Sequence, residues 1–142
     1  MLLVIHAALT WMLVGLILTM QVVHYPLFAL VGTNAYVAYQ QGHVTRITRL
    51  VAPLMLAEGL TGVALLVRLP DGVTRASAWL GLTLLVMIWS STALIQSPAH
   101  GRLSDGFNSA WHARLVTSNW IRTALWLLRG GLVGWWLLSA RT

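Results

Sequence analysis

Five histidines and nine arginines stand in a chain of 142 residues that has no cysteine and only 8% charged side chains. Neutral imidazole is the commonest metal ligand, so the first question is whether these rings can meet. If the chain turns near Gly32, His24 lies eight residues before the turn and His43 eleven after it. At about 1.5 Å per residue the two rings sit at similar heights on antiparallel neighbours. His112, early in the last helix, falls near that level, and His100 sits at or just above it. Bis-histidine haem b needs two imidazoles at equal depth across a gap, which His24 and His43 would provide, with His112 or His100 as substitute. Three of these rings with Met20, one turn from His24, would instead suit copper, and iron is a further alternative. Histidines at this depth also hydrogen-bond headgroups or backbone carbonyls with no metal at all.

The arginines bear on that choice. Arg46, Arg49, Arg114 and Arg122 lie near the histidine level, where no intramembrane acid can pair with them. A guanidinium at membrane depth costs roughly 2.5–3.5 kcal/mol on insertion scales, so it must snorkel or meet an anion. Haem propionates or an anionic substrate would neutralise Arg46, Arg49 and Arg122, since a guanidinium binds carboxylate bidentately, and Asn119 would orient a ligand. Lipid phosphate would serve equally well. A deeper polar level holds Glu58, Arg129 and His6. A buried Glu58–Arg129 charge pair is expected there, the alternative being a proton-coupling Glu58 of a small transporter.

The elements that must position these groups are apolar. Hydrophobic residues make up 58% of the chain and its mean hydropathy is +0.76. A soluble domain needs about a quarter of its residues charged, so a soluble enzyme is excluded, as are coiled-coil and disordered chains. The pattern predicts an all-α, integral membrane, up-down-up-down four-helix bundle in one domain, with helices over about 2–31, 34–68, 75–96 and 106–140. Asn34 is the expected cap of the second helix, Leu69-Pro70-Asp71-Gly72 the turn after it, and Pro98 the end of the third. At 100° per residue, His6, Thr10, Gln21 and His24 share one side of the first helix. His43, Arg46, Leu50, Glu58 and Thr61 form a stripe on the second, and His112, Asn119, Arg122 and Trp126 one on the fourth. All three stripes are expected to converge on the interior.

A net charge of +6 from scattered arginines points to anionic lipid or an anionic bound group rather than nucleic acid. Arg46, Arg49, Arg102 and Arg114 mark one side of the bundle and Arg68, Arg75 and Arg141 the other, which leaves orientation open. Gly130-x-x-x-Gly134 allows close internal packing or a homodimer.

The segments His24-Tyr25-Pro26-Leu27-Phe28, Pro98-Ala99-His100-Gly101-Arg102-Leu103 and Asn119-Trp120-Ile121-Arg122-Thr123 resemble small bacterial four-helix membrane proteins distantly similar to the anthrone-oxygenase-like family. That resemblance implies the same fold, a bacterial inner-membrane location, oxidation of a polycyclic aromatic substrate by oxygen, and a site lined by His24, His100, Asn119 and Arg122. It does not extend to Glu58, His43 or His112. The leading expectation is therefore a small multi-pass redox protein, an oxidoreductase or oxygenase, that holds haem b, copper or iron and meets a hydrophobic small molecule or quinone. The alternatives are a non-catalytic accessory subunit of a membrane complex and a transporter using Glu58.

Overall fold

The structure, a computed structural model, describes residues 1–140. Arg141, one of the arginines on the side of the termini, lies outside the described residues. Four helical stretches succeed one another: α1 (Leu2–Leu30), α2 (Thr33–Val67), α3 (Arg75–Ser104) and α4 (Ser109–Ser139). Among the described residues there is no strand. Each helix packs on the next and α4 returns to α1, closing an antiparallel ring of four.

Local chemistry sets the ends. Between α2 and α3 the Val73 amide closes a turn on the Pro70 carbonyl at 3.1 Å, and Gly72 takes φ +75°, which its missing Cβ permits. Thr74 caps α3 by accepting the Ser77 amide at 3.2 Å, and Asn108 caps α4 by accepting the Trp111 amide at 3.0 Å. Two expected boundaries move. Asn34 is not a cap, because α2 starts at Thr33 behind an extended Gly32. The last helix starts at Ser109 rather than near 106, where Gly106 has φ +149° and cannot carry helical geometry.

The larger correction concerns Pro98, which does not end α3. A π-turn over Thr92–Gln96 precedes it, and the helix resumes over Ser97–Ser104. Pro26 repeats the arrangement behind a π-turn over Met20–His24. Proline lacks an amide hydrogen and crowds the carbonyl four residues back. A wider i→i+5 turn shifts that carbonyl, so the chain passes through without breaking. Each π-turn also rotates the residues after it, and His24 and His100 stand at or just beyond these two turns.

Three apolar layers stack along the bundle. Leu3, Ala7, Leu65, Ala78, Val133 and Trp136 fill the end near the termini; Leu13, Val14, Ile17, Leu85, Ile88 and Trp126 fill the middle. Tyr25, Phe28, Tyr36, Ala99, Leu103 and Leu115 fill the opposite end. The outer surface is apolar as well, with Val4, Trp11, Val22, Leu60, Val86, Leu94 and Leu128 exposed, as suits contact with lipid. Among the described residues three helices, α1, α2 and α3, are long and apolar enough to cross a membrane, one fewer than the sequence pattern suggested. Buried Arg122 and Arg129 set α4 apart.

One irregularity interrupts this packing. Tyr36 and Gln40 of α2 are buried, and so are Glu58 and Gly59, but no residue from 41 to 57 is. Between those ends the helix is only half-buried: His43 reaches α1, and Val51, Leu54 and Met55 pack part-exposed on the middle layer.

Candidate functional site

Beside this half-buried part of α2 lies a cavity of about 410 Å³, within the usual range for small-molecule pockets. Its walls are mainly apolar: Leu16, Ile17 and Met20 from α1, and Val44, Ile47, Val51 and Met55 from α2. The polar groups sit on the remaining side, with Tyr25 from α1, Gln96 and His100 from α3, and Arg122 from α4. Thr48, Ala52, Ser97 and Gly101 also line it and are exposed, so the cavity reaches the outer face of the bundle between α2 and α3.

Arg122 is 8% exposed. Its Nη1 donates to Asn119 Oδ1 at 3.1 Å, one turn back on α4. Asn119 Nδ2 in turn donates to Gln21 Oε1 at 2.8 Å, and Gln21 Nε2 donates to the Val116 carbonyl at 3.1 Å. Arg122 Nε has no hydrogen-bond partner among the described residues. The acids of the chain are Glu58, Asp71 and Asp105, and the ion pairs found among the described residues belong to Glu58 alone. A guanidinium is thus held by neutral groups, Asn119 and Tyr25, and faces a cavity with no carboxylate against it among the described residues.

The histidines divide. His24 Nε2 and His43 Nδ1 lie 3.0 Å apart, and the His43 and His100 ring centroids are 5.5 Å apart. His100 is committed on both nitrogens, to the Tyr25 hydroxyl at 3.2 Å and to Gln40 Nε2 at 2.9 Å. His112 leaves the group: its Nε2 donates to the Tyr25 backbone carbonyl at 2.8 Å, and its ring packs on Phe107. Among the described residues no set of three or more His, Cys, Asp or Glu is arranged to hold a metal ion. Iron between two imidazoles needs their nitrogens roughly 4 Å apart, about twice a metal–imidazole bond of ~2.0–2.1 Å. Haem held by His24 and His43 therefore requires their hydrogen bond to open, and the same holds for a bare metal bridging them.

The basic residues also divide. Arg46 and Arg49 are exposed, and Arg46, which the α2 stripe was expected to turn inward, lies on the outer face beside the His24–His43 contact. Arg46 lines a second groove, of about 370 Å³, with His24, Tyr39 and His43. Arg102 and Arg114 lie over the Trp111 ring at 5.9 and 5.1 Å. Neither Arg46 nor Arg49 reaches the cavity that holds Arg122.

The deeper level is closed. Arg129 Nε donates to Glu58 Oε1 at 2.5 Å, Arg129 Nη1 donates to the Gly81 carbonyl, and Thr10 donates to Glu58 Oε1 at 3.1 Å. Thr61 gives its hydroxyl hydrogen to the Ala57 carbonyl, so His6 Nδ1, 2.8 Å away, is the donor of that contact. His6 Nε2 then accepts from Arg129 Nη2 at 3.5 Å. His6, Glu58 and Arg129 are all essentially inaccessible, none of them lines the 410 Å³ cavity or the 370 Å³ groove, and Glu58 Oε2 is left without a hydrogen-bond partner among the described residues. The arrangement ties α1, α2, α3 and α4 together.

Tyr25, Gln40 and Gln96 were missed as site residues in the sequence. The usable signal was glutamine inside an apolar helix, where an amide needs a partner. Fold and site together define a helical bundle with candidate membrane-spanning helices and a polar-faced cavity that opens on its outer face. No protein-family model matches the chain, and no curated protein or solved structure matches it either. The resemblance to the anthrone-oxygenase-like family therefore assigns no family.

Proposed function

We propose that this protein is a small membrane protein that takes an apolar molecule bearing an anionic or carbonyl oxygen from the bilayer and holds that oxygen at Arg122. One observation carries the reading: a buried guanidinium, without a carboxylate partner and with Nε unsatisfied, lines a largely apolar cavity that opens on the outer face. A buried cation needs a counter-charge or strong acceptors, and here the fold supplies the Asn119 amide and the neutral Tyr25 hydroxyl but no carboxylate among the described residues. The apolar walls suit a hydrocarbon body, and the opening between α2 and α3 admits a ligand already dissolved in lipid. A planar phenolic or quinonoid head is the favoured class, because it joins a flat apolar body to an oxygen acceptor. The sequence resemblance points to the same aromatic class.

The test is a titration of the purified protein in lipid nanodiscs with a hydroxynaphthoquinone, read by quenching of tryptophan fluorescence, with palmitate as a second probe. Saturable quinone binding, weakened about ten- to a hundredfold by Arg122→Gln, is the expected result, since hydrogen bonds to charged groups contribute about 1.5–3 kcal/mol. Equal binding by the variant, or no saturable binding at all, overturns the proposal. Saturable binding of palmitate alone overturns the planar class.

A further inference from the structure

The hydrogen-bond chain behind the cavity dictates which way one hydroxyl points. Gln40 is buried, and its Nε2 lies 2.9 Å from His100 Nδ1 and 3.5 Å from the His100 carbonyl oxygen. Both neighbours are served by an amide nitrogen, whereas an amide oxygen there would face the carbonyl in repulsion. Nδ1 is therefore the accepting nitrogen of a neutral His100, and Nε2 carries the hydrogen. That hydrogen donates to the Tyr25 hydroxyl oxygen at 3.2 Å. The Arg122 guanidinium, which can only donate, is the other hydrogen-bonding partner of that hydroxyl. With its oxygen accepting from both, Tyr25 has its own hydrogen left over, and the cavity that Tyr25, His100 and Arg122 all line is where it can be used. The backbone at this point is held too, by His112 Nε2 on the Tyr25 carbonyl.

We propose that Tyr25 is a second anchor of the ligand, a hydrogen-bond donor whose direction is set by Gln40 through the His100 tautomer, so that the site selects an oxygen that only accepts, a quinone carbonyl or a phenolate, over one that donates. This deepens the reading of the cavity and rests on it. Gln40 and His100 are positioning residues. No proton need be transferred, because the chain Gln40 to His100 to Tyr25 is one of donors all pointing towards the cavity.

The chain can be reversed without touching the ligand. In Gln40→Glu, a carboxylate in place of the amide accepts at His100 Nδ1 and moves the hydrogen there. Nε2 then accepts from the Tyr25 hydroxyl, which turns its hydrogen away from the cavity. The experiment uses nanodisc-embedded full-length protein titrated with naphthoquinone, which carries acceptor oxygens and no donor, and with naphthalene, which has neither. Wild type is expected to bind naphthoquinone at least threefold more tightly than naphthalene. Tyr25→Phe and Gln40→Glu are each expected to weaken naphthoquinone by about three- to tenfold while leaving naphthalene unchanged. Equal affinity of wild type for the two probes overturns the inference whether or not the variants fold. So does a Gln40→Glu protein that keeps the preference. Naphthoquinone binding that needs Arg122 but ignores Tyr25 and Gln40 overturns the second anchor alone, whereas no binding by wild type overturns the cavity reading with it.

Discussion

His24 and His43 meet nitrogen to nitrogen at 3.0 Å, each ring using one nitrogen on the other. In neutral imidazoles one of the two donates and the other accepts, so these two nitrogens satisfy each other across the α1–α2 contact, while His43 Nε2 is buried without a partner among the described residues. Titration of haemin into the purified protein is accordingly expected to give no bis-imidazole Soret spectrum. A sharp Soret band that disappears in both His24→Ala and His43→Ala would show that the pair opens to admit iron, and would support haem at this site instead.

The Glu58–Arg129 pair should behave as structure. Removing one partner leaves a buried charge uncompensated, so Glu58→Leu or Arg129→Met alone is expected to destabilise the protein by about 3–5 kcal/mol. The double variant should lose less than the sum, with a coupling of about 0.5–3 kcal/mol. Thermal unfolding in detergent measures all three. Strictly additive losses would mean the pair is not what joins α2 to α4 at this depth.

Asn119 connects the arginine to the opposite helix. Asn119→Leu strands both Gln21 Oε1 and Arg122 Nη1, which gives an expected cost of about 1–3 kcal/mol. It should also weaken quinone binding, because Arg122 loses the partner that aims it. Unchanged stability and unchanged affinity together would contradict this role.

Gly81 marks a place where helices touch closely. A Cβ there would lie 2.8 Å from Trp136 Cη2 and 3.2 Å from Arg129 Nη1. Overpacking of this kind costs about 1–3 kcal/mol, so Gly81→Ala is expected to lower the unfolding temperature, whereas Gly131→Ala, which meets nothing within 4 Å, is not. Equal behaviour of the two variants would count against the close α3–α4 contact.

Which features were legible in the sequence depends on the physics of each. Helix rise is nearly constant, so counting residues on both sides of Gly32 placed His24 and His43 at one height, where the structure joins them. The facing of Asn119 and Arg122 came from the 100° period of an uninterrupted α4. The same period misplaced Arg46, because it assumes a helix buried along its whole length, and α2 has no fully buried residue over 41–57. Pro98 read as a helix end because proline penalises the α-helical ladder, yet a π-turn on Thr92–Gln96 supplied a second solution that composition does not announce. The roles of Gln40 and Tyr25 depend on side-chain contacts between residues 60 and 75 positions apart, on separate helices, and no local pattern encodes such pairings.

The most direct measurement is an experimental structure of the protein in nanodiscs with the hydroxynaphthoquinone bound. The account predicts the naphthoquinone ring between α2 and α3, with one oxygen within about 3.2 Å of the Arg122 guanidinium and of the Tyr25 hydroxyl. A ligand seated instead in the groove of His24, Tyr39 and Arg46, or an Arg122 still bonded only to Asn119 and Tyr25 with the quinone elsewhere, would contradict it.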